Sequence, residues 1–108
     1  RMLLLGVKPF KMAETLQQLS QAGLPDDSVI ISLAAGWTLE QLRSALGKPN
    51  PFVRAMANTP CLVRQGVIAL CATDESQLSL AESVLAPVGL CIRTEEAYFD
   101  AITGLTGS

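Results

Sequence analysis

The stretch Ser28-Val29-Ile30-Ile31-Ser32-Leu33-Ala34-Ala35-Gly36-Trp37-Thr38-Leu39-Glu40-Gln41 decides the fold. Residues 28–34 are apolar or small without alternation, the pattern of a strand buried on both faces. Ala35-Gly36 makes a turn. Thr38 and Gln41 then stand at the spacing of a capping box, in which each side chain can satisfy the other's exposed backbone N–H. The spacing predicts a helix that Thr38 caps and that runs to Leu46, where Gly47 stops it.

Units of the same kind lie on either side. Upstream, residues 2–7 form an apolar run closed by Lys8-Pro9, a second buried strand. Met12, Leu16, Leu19 and Ala22 follow at helical spacing in residues 10–22, and Gly23 and Pro25 end that helix. Downstream, the turn Lys48-Pro49-Asn50-Pro51 feeds a third strand over residues 52–57. Three strands joined by two helices imply right-handed crossovers and an α/β fold with a parallel sheet, the strands adjacent in chain order. Past Pro60, residues 66–73 read as another strand, and Asp74 caps a helix with Leu78, Ala81 and Leu85 on one face. Residues 90–93 read as a short strand and residues 95–102 as the start of a last helix.

Composition narrows the function classes. With 49% hydrophobic and 17% charged residues, the 108-residue chain reads as one soluble globular domain. A net charge of −2 with eight scattered Lys and Arg gives no electrostatic footprint for nucleic acid or an anionic membrane. The apolar runs fall far short of the roughly 20 residues that span a bilayer. Arg1 leads into a strand-like run without a cleavage-site pattern, so the expected address is the cytoplasm. Cys61, Cys71 and Cys91 are widely spaced among apolar neighbours and read as buried thiols, not a disulfide framework or zinc site. With no histidine, His-dependent triads and most transition-metal sites are excluded.

In an open parallel sheet, ligands bind at the carboxyl ends of the strands. Those ends here are Val7-Lys8-Pro9, Ala34-Ala35-Gly36 and Asn58-Thr59-Pro60. By pattern alone they are either three ordinary turns or one shared rim. Lys8 is either a site residue or a solvated charge, and Asn58 either reaches a ligand or bonds its own backbone in an Asx-turn. Met56 fits the core, or packing against a ring. Arg54, inside a strand, snorkels or pairs with a carboxylate more readily than it binds a phosphate.

These segments also carry a resemblance. Val7-Lys8-Pro9, then Ser32-Leu33-Ala34-Ala35-Gly36-Trp37-Thr38, then Arg54-Ala55-Met56-Ala57-Asn58-Thr59-Pro60, then Asp100-Ala101-Ile102-Thr103-Gly104-Leu105-Thr106-Gly107-Ser108 occur in the order and approximate spacing of the pyrroline-5-carboxylate reductase family. The match spans essentially the whole chain, and the Asn-Thr-Pro segment with the final Thr-Gly-Leu-Thr-Gly-Ser is its specific part. The chain resembles the C-terminal half of that family's Rossmann domain running into an all-α dimerisation domain. Residues 1–94 would be the NAD(P)-binding part and residues 95–108 the start of the helical dimerisation and substrate domain.

The resemblance implies an oxidoreductase of proline biosynthesis that reduces 1-pyrroline-5-carboxylate to L-proline with NADPH or NADH, as a cytoplasmic homodimer or higher homo-oligomer. It implies that Val7, Lys8 and Pro9 lie beside the cofactor's ribose and nicotinamide, and that Ala34, Ala35 and Gly36 form a wall that lets a flat ring approach the backbone. Met56, Asn58, Thr59 and Pro60 correspond to the nicotinamide-side loop, and Thr106, Gly107 and Ser108 open the loop that holds the substrate carboxylate. No side chain is assigned as acid or base and no metal is implied, so catalysis would rest on positioning.

The sequence departs from the family at Ala57, where Pro is frequent, and at Thr106, where Ser is usual. The family's Gly-rich pyrophosphate turn would lie upstream of Arg1, and its dimer-forming helices would follow Ser108. The chain is therefore expected to be a piece of a longer one and to be inactive alone. Two other readings stand beside this one: a related 3-hydroxy-acid dehydrogenase, and a non-catalytic truncated paralogue that serves as an oligomerisation module.

Overall fold

The structure, a computed structural model, describes residues 2–58, 66–97 and 99. Five strands, β1 (Met2–Leu5), β2 (Val29–Ser32), β3 (Phe52–Asn58), β4 (Val67–Ala72) and β5 (Leu90–Arg93), form one sheet in the order β1-β2-β3-β4-β5. Three helices, α1 (Met12–Gln21), α2 (Leu39–Leu46) and α3 (Glu75–Leu85), connect them. The first three strands are parallel and adjacent in chain order, as their patterns predict. β4 runs antiparallel to β3, pairing Val53 with Ala72 and Asn58 with Val67, and β5 returns parallel to β4. The reversal follows from chain length, because residues 59–66 are too few for the crossover of about a dozen residues that a parallel return needs.

Strand alternation sends side chains to two faces. On one face Leu5, Ile30, Phe52, Ala69 and Cys71 pack with Met12 and Leu16 of α1, with Leu39, Leu42 and Leu46 of α2, and with Phe99. On the other, Val29, Ile31, Val53, Ala55, Ile68 and Leu70 pack with Ala81 and Leu85 of α3. Leu78 and Cys91 cover the edge of this second cluster. Leu39, Leu42 and Leu46 are all buried, and each stabilises the fold by about 1.5–3 kcal/mol relative to exposure.

The helix caps follow the sequence in one case and depart from it in another. Thr38 and Gln41 form the full capping box, and Gly47 closes α2 in the left-handed region at φ 69°, where a Cβ would be strained. Asp74 occupies the N-cap position of α3 but makes no side-chain bond to the helix backbone; its Oδ2 accepts from Gln77 Nε2 at 3.3 Å instead. α1 starts at Met12, not at residue 10, because Pro9–Lys11 forms a tighter 3₁₀ turn, and Ala22 falls just outside it, exposed. Near the end of the chain Glu96, Ala97 and Phe99 are helical. Glu95, expected to begin this helix, is not helical, so the helix starts one residue later; residues 98 and 100–102 lie outside the described residues.

Candidate functional site

Because β1, β2 and β3 are parallel, their carboxyl ends share one edge of the sheet. β1 and β2 end at Leu5 and Ser32, two residues earlier than the apolar runs suggest. The chain leaves the ladder there: Leu33 N still donates to Leu5 O at 3.0 Å, but Ala34 N turns back onto Ser32 Oγ at 3.3 Å. The segments 7–9 and 34–36 are thereby freed as loops.

Contacts join these two loops. The indole Nε1 of Trp37 donates to the carbonyl oxygen of Pro9 at 3.1 Å. Val7, Trp37 and Met56 are half-buried and pack against the core cluster beneath α1 and α2. Lys8 is exposed in an extended conformation, and its carbonyl accepts from Lys11 N at 2.9 Å to start the 3₁₀ turn. Ala34 is buried and Ala35 half-buried. Gly36 has φ 82°, and a Cβ built on it would meet no atom within 4 Å. The wall at 34–36 is therefore small, and at Gly36 it is open at the backbone.

Asn58 is the last residue of β3, its backbone in register with Val67. Its side chain, and Thr59, Pro60, Cys61 and Thr106 to Ser108, lie outside the described residues. An open hollow of about 700 Å³ begins at Gly36 and Trp37 and runs along α2 past Glu40, Gln41, Ser44 and Ala45. None of its lining residues comes from 7–9 or 56–58, so it flanks the rim and does not fill it.

Below the rim, charge is buried. Arg54, 1% exposed, projects from β3 into the α1/α2 face. Its Nη1 donates to Glu96 Oε2 at 3.1 Å, and its guanidinium lies over the Phe99 ring, 4.7 Å from the centroid. Of the alternatives that the sequence leaves for Arg54, carboxylate pairing holds. The same Glu96 oxygen accepts from Leu39 N at 2.6 Å, at the first residue of α2. Burial pushes the Cys71 thiol up to about 11; Glu96 adds to the shift and Arg54 opposes it. Cys71 and Cys91 are free thiols, and the described residues contain no group of three or more His, Cys, Asp or Glu placed to hold a metal. No helix among the described residues is long and apolar enough to cross a membrane.

Trp37 and Glu96 are the two residues whose roles the sequence conceals. A half-buried indole needs a partner for its N–H, which is a usable signal. Glu96 sits 42 residues from Arg54 and 57 from Leu39, and nothing local marks it.

No protein-family model matches the chain. Among curated proteins it is 40% identical over 108 residues to the pyrroline-5-carboxylate reductase of Pseudomonas aeruginosa, a match covering 96% of this chain and 39% of that one. Among solved structures it superposes on a pyrroline-5-carboxylate reductase from Coxiella burnetii with a TM-score of 0.79 at 35% identity, over 97% of this chain and 40% of that one. The Plasmodium falciparum pyrroline carboxylate reductase, solved with NADP bound, shares the fold with a TM-score of 0.82 at 23% identity, over 98% of this chain and 41% of that one. The chain spans about two fifths of the length of the relatives it matches. Across that span, in sequence and in fold, it is similar to pyrroline-5-carboxylate reductases.

Proposed function

We propose that the polypeptide carrying this chain is an NAD(P)H-dependent oxidoreductase of proline biosynthesis that reduces 1-pyrroline-5-carboxylate to L-proline. The observation that carries this reading is the shared edge: the loops after β1 and β2 and the end of β3 face one side of the sheet, and Trp37 ties the first two together. The sequence similarity to named reductases supports the choice of substrate. In this reading residues 1–94 belong to the nucleotide-binding domain and residues 95–108 begin the helical domain. The protein works in the cytoplasm as a homodimer or larger homo-oligomer.

The residues present fit the nicotinamide end of such a cofactor. At Gly36 there is room for a planar group against the backbone, with Ala34 and Ala35 presenting little side chain. Val7, Lys8 and Pro9 would hold one side of it, Ala34 to Gly36 the back, and Met56, Asn58, Thr59 and Pro60 the other side. Thr106, Gly107 and Ser108 would hold the substrate carboxylate. When bound, the cofactor supplies the hydride. The chain's own contribution is to orient the two rings and keep water from between them, a task of positioning that needs no strong acid or base.

The test is to follow NADPH and NADH oxidation with 1-pyrroline-5-carboxylate, using the protein at the length of its relatives and the 108-residue chain side by side. Turnover by the longer protein supports the reading. NADPH binding with turnover of a 3-hydroxy acid and not of the imine would replace the substrate, and no cofactor binding at all would leave the oligomerisation module.

A further inference from the structure

One carboxylate oxygen joins three separated parts of the chain. Glu96 Oε2 accepts from Arg54 Nη1 at 3.1 Å and from Leu39 N at 2.6 Å. Arg54 stands on β3 four positions before Asn58, and Leu39 opens the helix that follows the Ala34–Gly36 turn. Glu96 itself lies ten positions before Thr106 in the segment that leads to the proposed substrate loop. The capping box of Thr38 and Gln41 satisfies the N–H groups of those two residues and leaves the Leu39 N–H to Glu96. A buried charged pair is weak grounds for stability in any case, since well-packed apolar residues of similar size often serve as well.

We propose that Arg54 and Glu96 are positioning residues of the reductase: the pair holds the segment leading to the substrate loop in register with both walls of the cofactor site. This rests on the functional reading above. Arg54 is 1% exposed and is covered by Phe99, so it meets neither substrate nor cofactor. It acts through Glu96, and Glu96 acts through the start of α2. Two anchors from residues 96–99, the carboxylate on Arg54 and the ring over its guanidinium, fix that segment against the sheet. The distance between hydride donor and acceptor depends on this register, and small misplacements of reacting groups cost rate far more than binding.

The experiment uses the protein at the length of its relatives with Glu96→Ala, Arg54→Met and the double change Arg54→Met/Glu96→Ala. Melting temperature, NADPH dissociation constant, kcat and KM for 1-pyrroline-5-carboxylate, and amide exchange over residues 36–41 are measured for each. Each single change is expected to lower kcat by about tenfold or more while the NADPH dissociation constant stays within about threefold. In Glu96→Ala, exchange over 36–41 should rise while α3 is unchanged. The double change leaves no unpaired buried charge and should regain melting temperature without regaining kcat. Recovery of kcat together with melting temperature would reduce the pair to a structural one, and so would unchanged kcat in folded single variants. A parent protein that neither binds NADPH nor turns over the imine would sink the functional reading, and this assignment with it.

Discussion

The indole of Trp37 reaches across 28 residues of sequence to donate to the carbonyl oxygen of Pro9 at 3.1 Å, so the loops after β1 and β2 are tied to one another. Replacing Trp37 with Phe keeps an aromatic ring against the core but removes the donor. The expected cost is about 1 kcal/mol of stability, with a weaker hold on NADPH. Thermal melting and cofactor titration check both; a melting curve identical to the parent's would show that the bond contributes nothing.

Asn58→Ala, in the protein at the length of its relatives, is expected to lower kcat/KM by about ten- to a hundredfold, the effect of losing one polar contact to the cofactor ring. The loss should exceed that of Lys8→Ala, because Lys8 is exposed at the rim. Steady-state kinetics with unchanged values for Asn58→Ala would return this residue to a turn-forming role.

Gly89 is a close-packing glycine. A Cβ there would stand 2.6 Å from the carbonyl oxygen of Gly66, which itself accepts from Leu90 N at 2.9 Å where β5 begins. Gly89→Ala must push backbone against backbone and should cost about 1–3 kcal/mol in denaturant unfolding. Gly6→Ala is the control, since its Cβ would meet only Leu33 Cδ1 at an ordinary 3.8 Å. Equal stability of the two variants would contradict the clash.

The Cys71 thiol predicts an alkaline weakness. Its pKa is raised by burial from 9.0 to about 11, so the folded state keeps a proton that the unfolded chain releases. The stability it contributes is whole below pH 9 and is lost as pH rises through about 11. Denaturant unfolding at pH 8, 9.5 and 11 should show this fall, and Cys71→Ala, though less stable throughout, should flatten it. An equally steep fall in the variant would assign the effect to other groups.

What the sequence made legible depended on the range of each signal. Residues 28–47 could be read almost whole, because a double-sided apolar strand, a capping box and a C-terminal glycine are each encoded within a few positions. The parallel order of β1, β2 and β3 followed from their helical connections. The strand ends were overrun because Leu33 still bonds Leu5, and a run of apolar residues does not show where the backbone turns away. Asp74 looked like a cap and stands at the cap position, yet Gln77 captures its side chain, a competition that residue type does not reveal. Of the site, the three loop segments were visible as strand ends. The Arg54–Glu96 pair was half visible: a charge within a strand must find a partner, but the partner came from 42 residues away.

Strand order in the sheet repeats strand order in the chain, and this has a kinetic consequence. Each ladder joins strands that follow one another in sequence, so each pairing closes a shorter loop than any other strand order would require, and shorter loops cost less entropy to close. Among the described residues the β3/β4 ladder has the longest register, and its connection, residues 59–66, is short; β-hairpins close in about 1–10 μs. During synthesis, which proceeds from the N-terminus, the wall built by β1, β2 and β3 can assemble while β5 is still being added. Glu96 emerges after all five strands of the sheet, so Arg54 meets its counter-charge only once those strands have been made.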